Sequence, residues 1–405
     1  MSSKTILFIN HFAGIPKINE RNLRHFMIAK DLIGKGYDPV IICSQNHYQM
    51  LENGSFRTKE IVKIDGVKYI FINEKNYKKN NLLTKFLKMI SFSYGLFKFL
   101  FLKKLKIKNI KFVYGSSPDL FTALVGLMYC KKNKLKYVLE IRDIWPLSQI
   151  ILHGFNKNNF LIRLLAFIEI YIYKNSDIIT SPLWNFKEYL DLNTINKNFK
   201  YVPQTYYPHK KNVAQQDLKV LSKFSKIGIY SGSIGTFYKV EQIINFFPRE
   251  LSKKIAIIII GDGDMYNHIK QIVAKRSLNN FFILESTNHS KLSSYFKLAD
   301  FAIATIPEHD LLYKYGLCPL KVYDYMYHKL PVFFIGNKSY LDVDSDGIIA
   351  CKFNNEKNFK DSLIKIHTLS KQELREKGIL NYDLVKINNS PKLVSKKFME
   401  ILNDI

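Results

Sequence analysis

Short apolar runs of strand length alternate with stretches of helical period along most of this chain. Thr5–Ile9 reads as a buried strand. Arg24, His25, Ile28, Ala29, Leu32 and Ile33 then mark a helix that ends at Gly34 or Gly36. Pro39–Cys43 is the next buried strand, so about forty residues spell out a strand, loop, helix, strand unit. Phe112–Gly115 and Tyr137–Ile141 repeat the pattern around the loop Ser116-Ser117-Pro118-Asp119 and a helix through Cys130. Leu161–Tyr173 has helical spacing and Asp177–Thr180 is a strand. After Tyr201-Val202-Pro203-Gln204, Pro208 and a polar run to Gln216, which read as a linker, the alternation resumes. Ile227–Tyr230, Ile255–Ile260, Phe281–Glu285, Phe301–Ala304 and Val332–Ile335 are its strands, and the order holds to about Ile366. Buried strands joined by helices imply parallel sheets, with ligand loops at the strands' carboxyl ends. At 405 residues the chain is too long for one core. The expected division is 1–205, 206–388 and a terminal helix 389–405 that folds back onto the first half.

Charge narrows the partner. A net charge of +27 calls for something anionic: nucleic acid, a membrane surface or a phosphorylated small molecule. The basic residues are spread out, and no helix-turn-helix, RRM or zinc-finger signature accompanies them, so nucleic acid is not the expected partner. Lys85–Lys108 is distinctive, because its phenylalanines and leucines alternate with seven lysines and no acid. It is too short and too lysine-broken to span a bilayer. A basic helix lying on an anionic leaflet, with Lys98, Lys103 and Lys104 on the lipid surface, is one reading. A core-facing helix with solvated lysines is the other. Cys43, Cys130, Cys318 and Cys351 are far apart in apolar surroundings, which suits free thiols in a reducing compartment. The start, MSSKTILFIN, has no basic region before a long apolar stretch, so no signal peptide is expected.

Candidate chemistry gathers in three places. GLCPLKVYDYMYHKLPVFF, from Gly316 to Phe334, predicts a loop closed by Pro319, a helix over Lys321–His328 and the strand Val332–Ile335. A helix N-terminus gathers unpaired N–H groups, so with Lys321 in its first turn it suits a phosphate. Asp324, one turn on, can accept from a sugar hydroxyl. The competing reading is an ordinary helix packed on a sheet. Ser231-Gly232-Ser233-Ile234-Gly235-Thr236 can aim several N–H groups at one anion. Glu140-Ile141-Arg142-Asp143-Ile144-Trp145-Pro146 packs charges at a strand's carboxyl end, which fits a crevice or a local Arg142–Asp143 ion pair. Gly14 would let a ligand approach the backbone. Asp342, Asp344, Asp346 and Gly347 imitate a calcium loop, but Phe353 stands where a bidentate glutamate is required. No zinc spacing, GxGxxG, GxxxxGK[ST] or GxSxG motif occurs.

Taken in order, NHFAGIPKINERNLRHFMIAKDLIGKGY, SSPDLFTAL, EIRDIWPLS, YSGSIG, GDGDMYNHIK and GLCPLKVYDYMYHKLPV resemble the retaining GT-B glycosyltransferases of family 4. They resemble in particular the bacterial O-antigen and capsule branch that includes the N-acetylfucosaminyltransferases. The resemblance implies an α/β fold of two Rossmann-like, doubly wound domains with substrates in the cleft between them. It implies Gly14 facing the transferred sugar and Gly232, Ser233 and Gly235 cradling the diphosphate, with Lys239 nearby. Lys321 would neutralise the leaving group, and Asp324 would hold the ribose or donor sugar. Asp143 would sit near the transferred sugar and the incoming hydroxyl; Arg24, Glu140 and Arg142 are separately expected at the acceptor or in the cleft. It further implies a UDP-sugar donor, an N-acetylated hexosamine or deoxyhexosamine as the sugar, no metal or other cofactor, and an undecaprenyl-diphosphate-linked acceptor. The expected location is the inner face of the cytoplasmic membrane. The chain departs from the family's pair of glutamates seven residues apart, since Gly316 holds the first position and Asp324 the second. Tyr327 and His328 replace the usual small residues. A GT-B-shaped UDP-GlcNAc epimerase and a basic nucleic-acid-binding protein are the rival readings.

Overall fold

The computed structural model of the chain describes residues 4–16, 23–44, 60–75, 82–102, 107–208 and 219–405. The chain divides into two compact units, Met1–Gln204 with Pro391–Ile405, and Thr205–Ser390.

The first unit runs β1 (Lys4–Ile9), α1 (Arg24–Gly34), β2 (Tyr37–Ser44), β3 (Ile61–Ile64), β4 (Val67–Ile72), α2 (Leu82–Phe97) and β5 (Ile110–Ser116). It continues with α3 (Leu120–Asn133), β6 (Lys136–Glu140), α4 (Leu147–His153), α5 (Phe160–Asn175), β7 (Ile178–Ser181), α6 (Phe186–Leu192) and β8 (Asn198–Tyr201). Its sheet has the order β3-β4-β2-β1-β5-β6-β7-β8, parallel except for the β3–β4 pair. β1, buried from Thr5 to Ile9, sits centrally between β2 and β5. Asp119 starts α3 by accepting from the Phe121 and Thr122 N–H groups.

In the second unit β9 (Lys226–Ser233), α7 (Glu241–Asn245), β10 (Ile255–Asp262), α8 (Tyr266–Lys275), β11 (Phe281–Glu285), α9 (His289–Phe296) and β12 (Phe301–Thr305) come first. Then follow α10 (Asp310–Tyr313), α11 (Leu320–Tyr327), β13 (Val332–Ile335), β14 (Ile348–Cys351), α12 (Glu356–Thr368) and α13 (Lys371–Asn388). The sheet is parallel in the order β11-β10-β9-β12-β13-β14, and Tyr230, Ile257, Ile259, Phe301, Ile303 and Phe333 lie in its core. The last helix, α14 (Pro391–Asn403), belongs to the first unit, where Phe398 packs on Phe8 at 5.6 Å and edge-on to Tyr114 at 5.0 Å.

Three features differ from the sequence reading. The β3–β4 hairpin turns through Asp65 and Gly66, both at positive φ, in a segment whose mixed lysine pattern gives no clear period. Tyr201, read as the start of a linker, closes the edge strand β8, whose half-exposed residues lack an apolar run. The lysine-rich helix faces the core along one side. Met89, Phe92 and Leu96 are buried, while Leu83, Ile90 and Tyr94 are exposed on its other side. A π-helical turn, Lys98–Leu102, extends it, and Lys103 and Lys104 lie outside the described residues.

Candidate functional site

The carboxyl end of β9 forms the tightest backbone feature of the second unit. Gly232 pairs with Gly261 of β10, and a Cβ on Gly261 would fall 1.9 Å from the Gly232 carbonyl oxygen, so no other residue fits there. Gly232 itself has φ +139°, a conformation that favours glycine. The GDGD segment braces the turn. The Ile234 N–H donates to the Asp262 carbonyl at 2.8 Å, and Asp264 accepts from the Thr236 N–H at 3.1 Å and from its hydroxyl. Tyr325 of α11 fixes the strand end, accepting the Ser231 N–H at 2.7 Å and donating to the Ser231 carbonyl at 3.1 Å. Ser233 and Gly232 remain exposed.

Helix α11 opens beside this turn. Pro319 stands at its N-cap and supplies no side-chain cap, so the first-turn N–H groups have no side-chain acceptor there. Lys321 lies next to Gly232: a Cβ on that glycine would be 3.0 Å from Lys321 Nζ. The ammonium donates to the Tyr230 hydroxyl at 3.0 Å and sits 4.5 and 4.3 Å from the Tyr230 and Tyr238 ring centroids. Tyr230 in turn donates to the Ser233 carbonyl at 2.6 Å. Two aromatic faces attract a cation without neutralising it. Among the described residues no carboxylate shifts Lys321, and burial pushes its pKa down to about 7.

One turn later Asp324 is 8% exposed. Burial pushes its carboxyl up to about 7, against a donated N–H from Tyr207. His328 Nδ1 lies 2.7 Å from the Asp324 carbonyl, which only accepts, so Nδ1 carries the proton and Nε2 accepts from Ser293 at 2.9 Å. Burial lowers His328 to about 4 and keeps it neutral near pH 7. Tyr327 stacks on Tyr206 at 4.3 Å. Lys239, at φ +51°, is exposed after the turn.

The carboxyl end of the first unit's sheet is built differently. Glu140, 0% exposed, accepts from Arg24 Nε at 2.7 Å, His25 Nε2 at 2.7 Å and Ser116 Oγ at 2.9 Å. Burial alone would raise its pKa, but the Arg24, His25 and Arg142 charges hold it well below the usual carboxylate range. Arg24 spends its remaining donors on the carbonyls of Pro203 and Val202, at 2.5 and 2.8 Å. A second cluster centres on His11, whose ring nitrogens meet Asp119 at 2.8 Å and Glu74 at 2.5 Å while Phe92 stacks on it at 4.2 Å. Burial opposes the charged imidazole there, and the two carboxylates overcome that and raise its pKa.

Arg24 and Glu140, expected at the acceptor or in the cleft, are 3% and 0% exposed and bond each other across 116 residues of chain. That pairing is invisible in local spacing. Asp143 is half-buried, accepts from Trp145 Nε1 at 3.0 Å and has its pKa raised by burial. Arg142, beside it, donates its N–H to Ser117 Oγ at 2.9 Å. Gly14 is buried, with its carbonyl accepting from Tyr69 at 3.2 Å. Lys98 lies over the Tyr94 ring at 4.4 Å. The structure thus brings Lys321 and Gly232 together and seals Arg24 and Glu140 away. Sequence reasoning passed over Tyr230, Tyr238, Asp264, His11, Glu74 and Asp119. Asp264, in the GDGD turn, and His11, directly after a buried strand, offered a signal; the two tyrosines offered none. Among the described residues no group of His, Cys, Asp and Glu is placed to hold a metal ion.

Residues 215–381 match the model of the family described as glycosyl transferases group 1. No curated protein sequence matches the chain. Among solved structures, sucrose-phosphate synthase from Thermosynechococcus elongatus is similar over 99% of this chain and 98% of its own, with TM-score 0.73 and 11% identity. HepE from Anabaena, in complex with UDP and glucose, is similar over 99% and 100% of the two chains, with TM-score 0.63 and 11% identity. WaaG, a glycosyltransferase involved in lipopolysaccharide biosynthesis, covers 96% and 98%, with TM-score 0.64 and 13% identity. The fold is GT-B, the matched stretch lies within the second unit, and the protein is a glycosyltransferase.

Proposed function

We propose that the protein is a retaining transferase of family 4 that moves one sugar from a UDP-sugar to a lipid-linked glycan. The observation that carries this reading is Lys321, a cation with no carboxylate partner among the described residues, beside the Gly232 turn and the start of α11. Such a cluster of positive ends suits a diphosphate. HepE, of the same fold, is described in complex with UDP and glucose. As UDP departs, charge builds on its β-phosphate, and Lys321 with the turn's N–H groups stabilises that charge more than the ground state. The departing phosphate takes the acceptor hydroxyl's proton on the face it leaves, which returns the product with its anomeric configuration retained. Asp324, with Tyr207 on its carboxylate, holds a ribose or sugar hydroxyl, and Asp143 is the first unit's proposed catalytic residue.

The donor sugar is an N-acetylated hexosamine or deoxyhexosamine, and the acceptor is an undecaprenyl-diphosphate-linked glycan of a surface polysaccharide such as O-antigen or capsule. The enzyme works from the inner face of the cytoplasmic membrane. Support for a lipid surface comes from Leu83, Ile90 and Tyr94, exposed on α2 with Lys98 beside them. No helix among the described residues is long and apolar enough to cross a membrane. An assay with a UDP-sugar panel, with and without the prenyl-linked acceptor, tests the whole reading. Sugar transfer only when acceptor is present is the expected result. A rearranged UDP-sugar formed without acceptor assigns an epimerase instead.

A further inference from the structure

Helix α5 carries an apolar stripe on its outer side that the fold leaves uncovered within its own unit. Phe160, Leu164, Phe167 and Tyr171 recur at helical spacing and are 81, 38, 69 and 39% exposed. The opposite side of the same helix holds the core. Ile162, Leu165 and Ile172 are buried there, and Glu169 bonds the Tyr189 hydroxyl at 3.0 Å. Single exposed apolar side chains are ordinary, but a continuous aromatic stripe is not. Helix α5 packs on α3 and α3 on α2, whose own exposed residues are Leu83, Ile90 and Tyr94.

The charge around this layer selects the occupant. From Lys75 to Ser176 the chain has seventeen lysines and two arginines but only four acids, Asp119, Glu140, Asp143 and Glu169. Three of those acids are at most 2% exposed, and Asp143 is held by Trp145. Lysines sit on the rim of the apolar surface: Lys131 Nζ lies 4.9 Å from the Tyr171 ring and 3.1 Å from its hydroxyl. An aromatic stripe with a cationic edge, on a helix whose one acid, Glu169, is buried, complements an anionic bilayer. A second copy of the chain would bring the same positive charge against it and be repelled.

We propose that α5 is a second lipid-seated element, lying in the plane of the bilayer surface with Phe160 and Phe167 among the acyl chains. Its sixteen residues lie flat and do not span. This extends the membrane part of the reading above and is independent of the donor chemistry, so the two fail separately. The test is sedimentation of the purified full chain with vesicles of phosphatidylethanolamine and phosphatidylglycerol. Phe160→Ser with Phe167→Ser is expected to lower the partition coefficient by about tenfold or more, since two exposed rings lose their apolar seat. The thermal shift given by UDP stays unchanged, because both substitutions fall in the first unit and the donor turn belongs to the second. As a control on folding, Phe167→Trp alone is expected to blue-shift on those vesicles and to be quenched by brominated acyl chains. Unchanged partitioning, or a tryptophan that is neither shifted nor quenched, overturns the proposal. So does a lipid-free oligomer of the wild type that the double substitution dissolves, which would assign the stripe to a second copy.

Discussion

The two sheets end in opposite electrostatic states. At the carboxyl end of the first unit's sheet two buried clusters are answered from within the unit: Glu140 by Arg24 and His25, and His11 by Glu74 and Asp119. At the carboxyl end of β9, Lys321 meets, among the described residues, tyrosine rings and a hydroxyl, and Asp324 meets a backbone N–H. Desolvation is costly for a charge in either place. The first sheet end offsets the cost internally and gains a fixed architecture. The second leaves it standing, so an anion that reaches Lys321 regains what burial took away. Internally saturated charges mark scaffold, and unsaturated ones mark where a ligand supplies the missing half.

That contrast is open to direct attack. The largest effect is expected from Arg24→Ala, which strands the buried Glu140 carboxylate and frees the Val202 and Pro203 carbonyls. Breaking one partner of a buried pair costs roughly 3–5 kcal/mol, so denaturant unfolding of the first unit should shift strongly. A loss under about 1 kcal/mol, the scale of an exposed pair, would mean that the network is not structural. Lys321→Ala is expected to do the reverse. Removing one preorganised donor typically costs about 3 kcal/mol of transition-state stabilisation, a drop of roughly a hundredfold or more in turnover. Stability should hold or rise, since a desolvated cation is removed. Near-wild-type turnover would take Lys321 out of the mechanism.

Much of the fold was legible because it rests on local patterns. The run Val332–Ile335 is a strand with those bounds, and Pro319 precedes a helix that begins at Leu320. The GT-B architecture follows from the ordered motifs. Long-range partners were not legible. Nothing near Glu140 in the sequence announces Arg24, and nothing near Lys321 announces Tyr230, 91 residues earlier. The tight charges of the EIRDIWP segment suggested a crevice or a local ion pair, yet one of the three, Glu140, is buried because its partner Arg24 lies on α1. Sequence spacing reports which groups are charged; only the fold reports which charges are already satisfied.

Calorimetry of UDP binding in buffers of different ionisation enthalpy tests this account most directly. Free Lys321, lowered to about 7, is mostly neutral at roughly pH 8.5, while Asp324, also near 7, is mostly ionised there. A bound diphosphate raises the lysine's pKa, so binding takes up a proton, and affinity declines as pH climbs above about 7 toward the ordinary lysine value of 10.5. The expected result is uptake approaching one proton per UDP in the wild type and none in Lys321→Met, which also binds more weakly. UDP binding with no proton uptake, or with equal affinity in the two proteins, would contradict the claim that the unsatisfied end of the second sheet is the donor site.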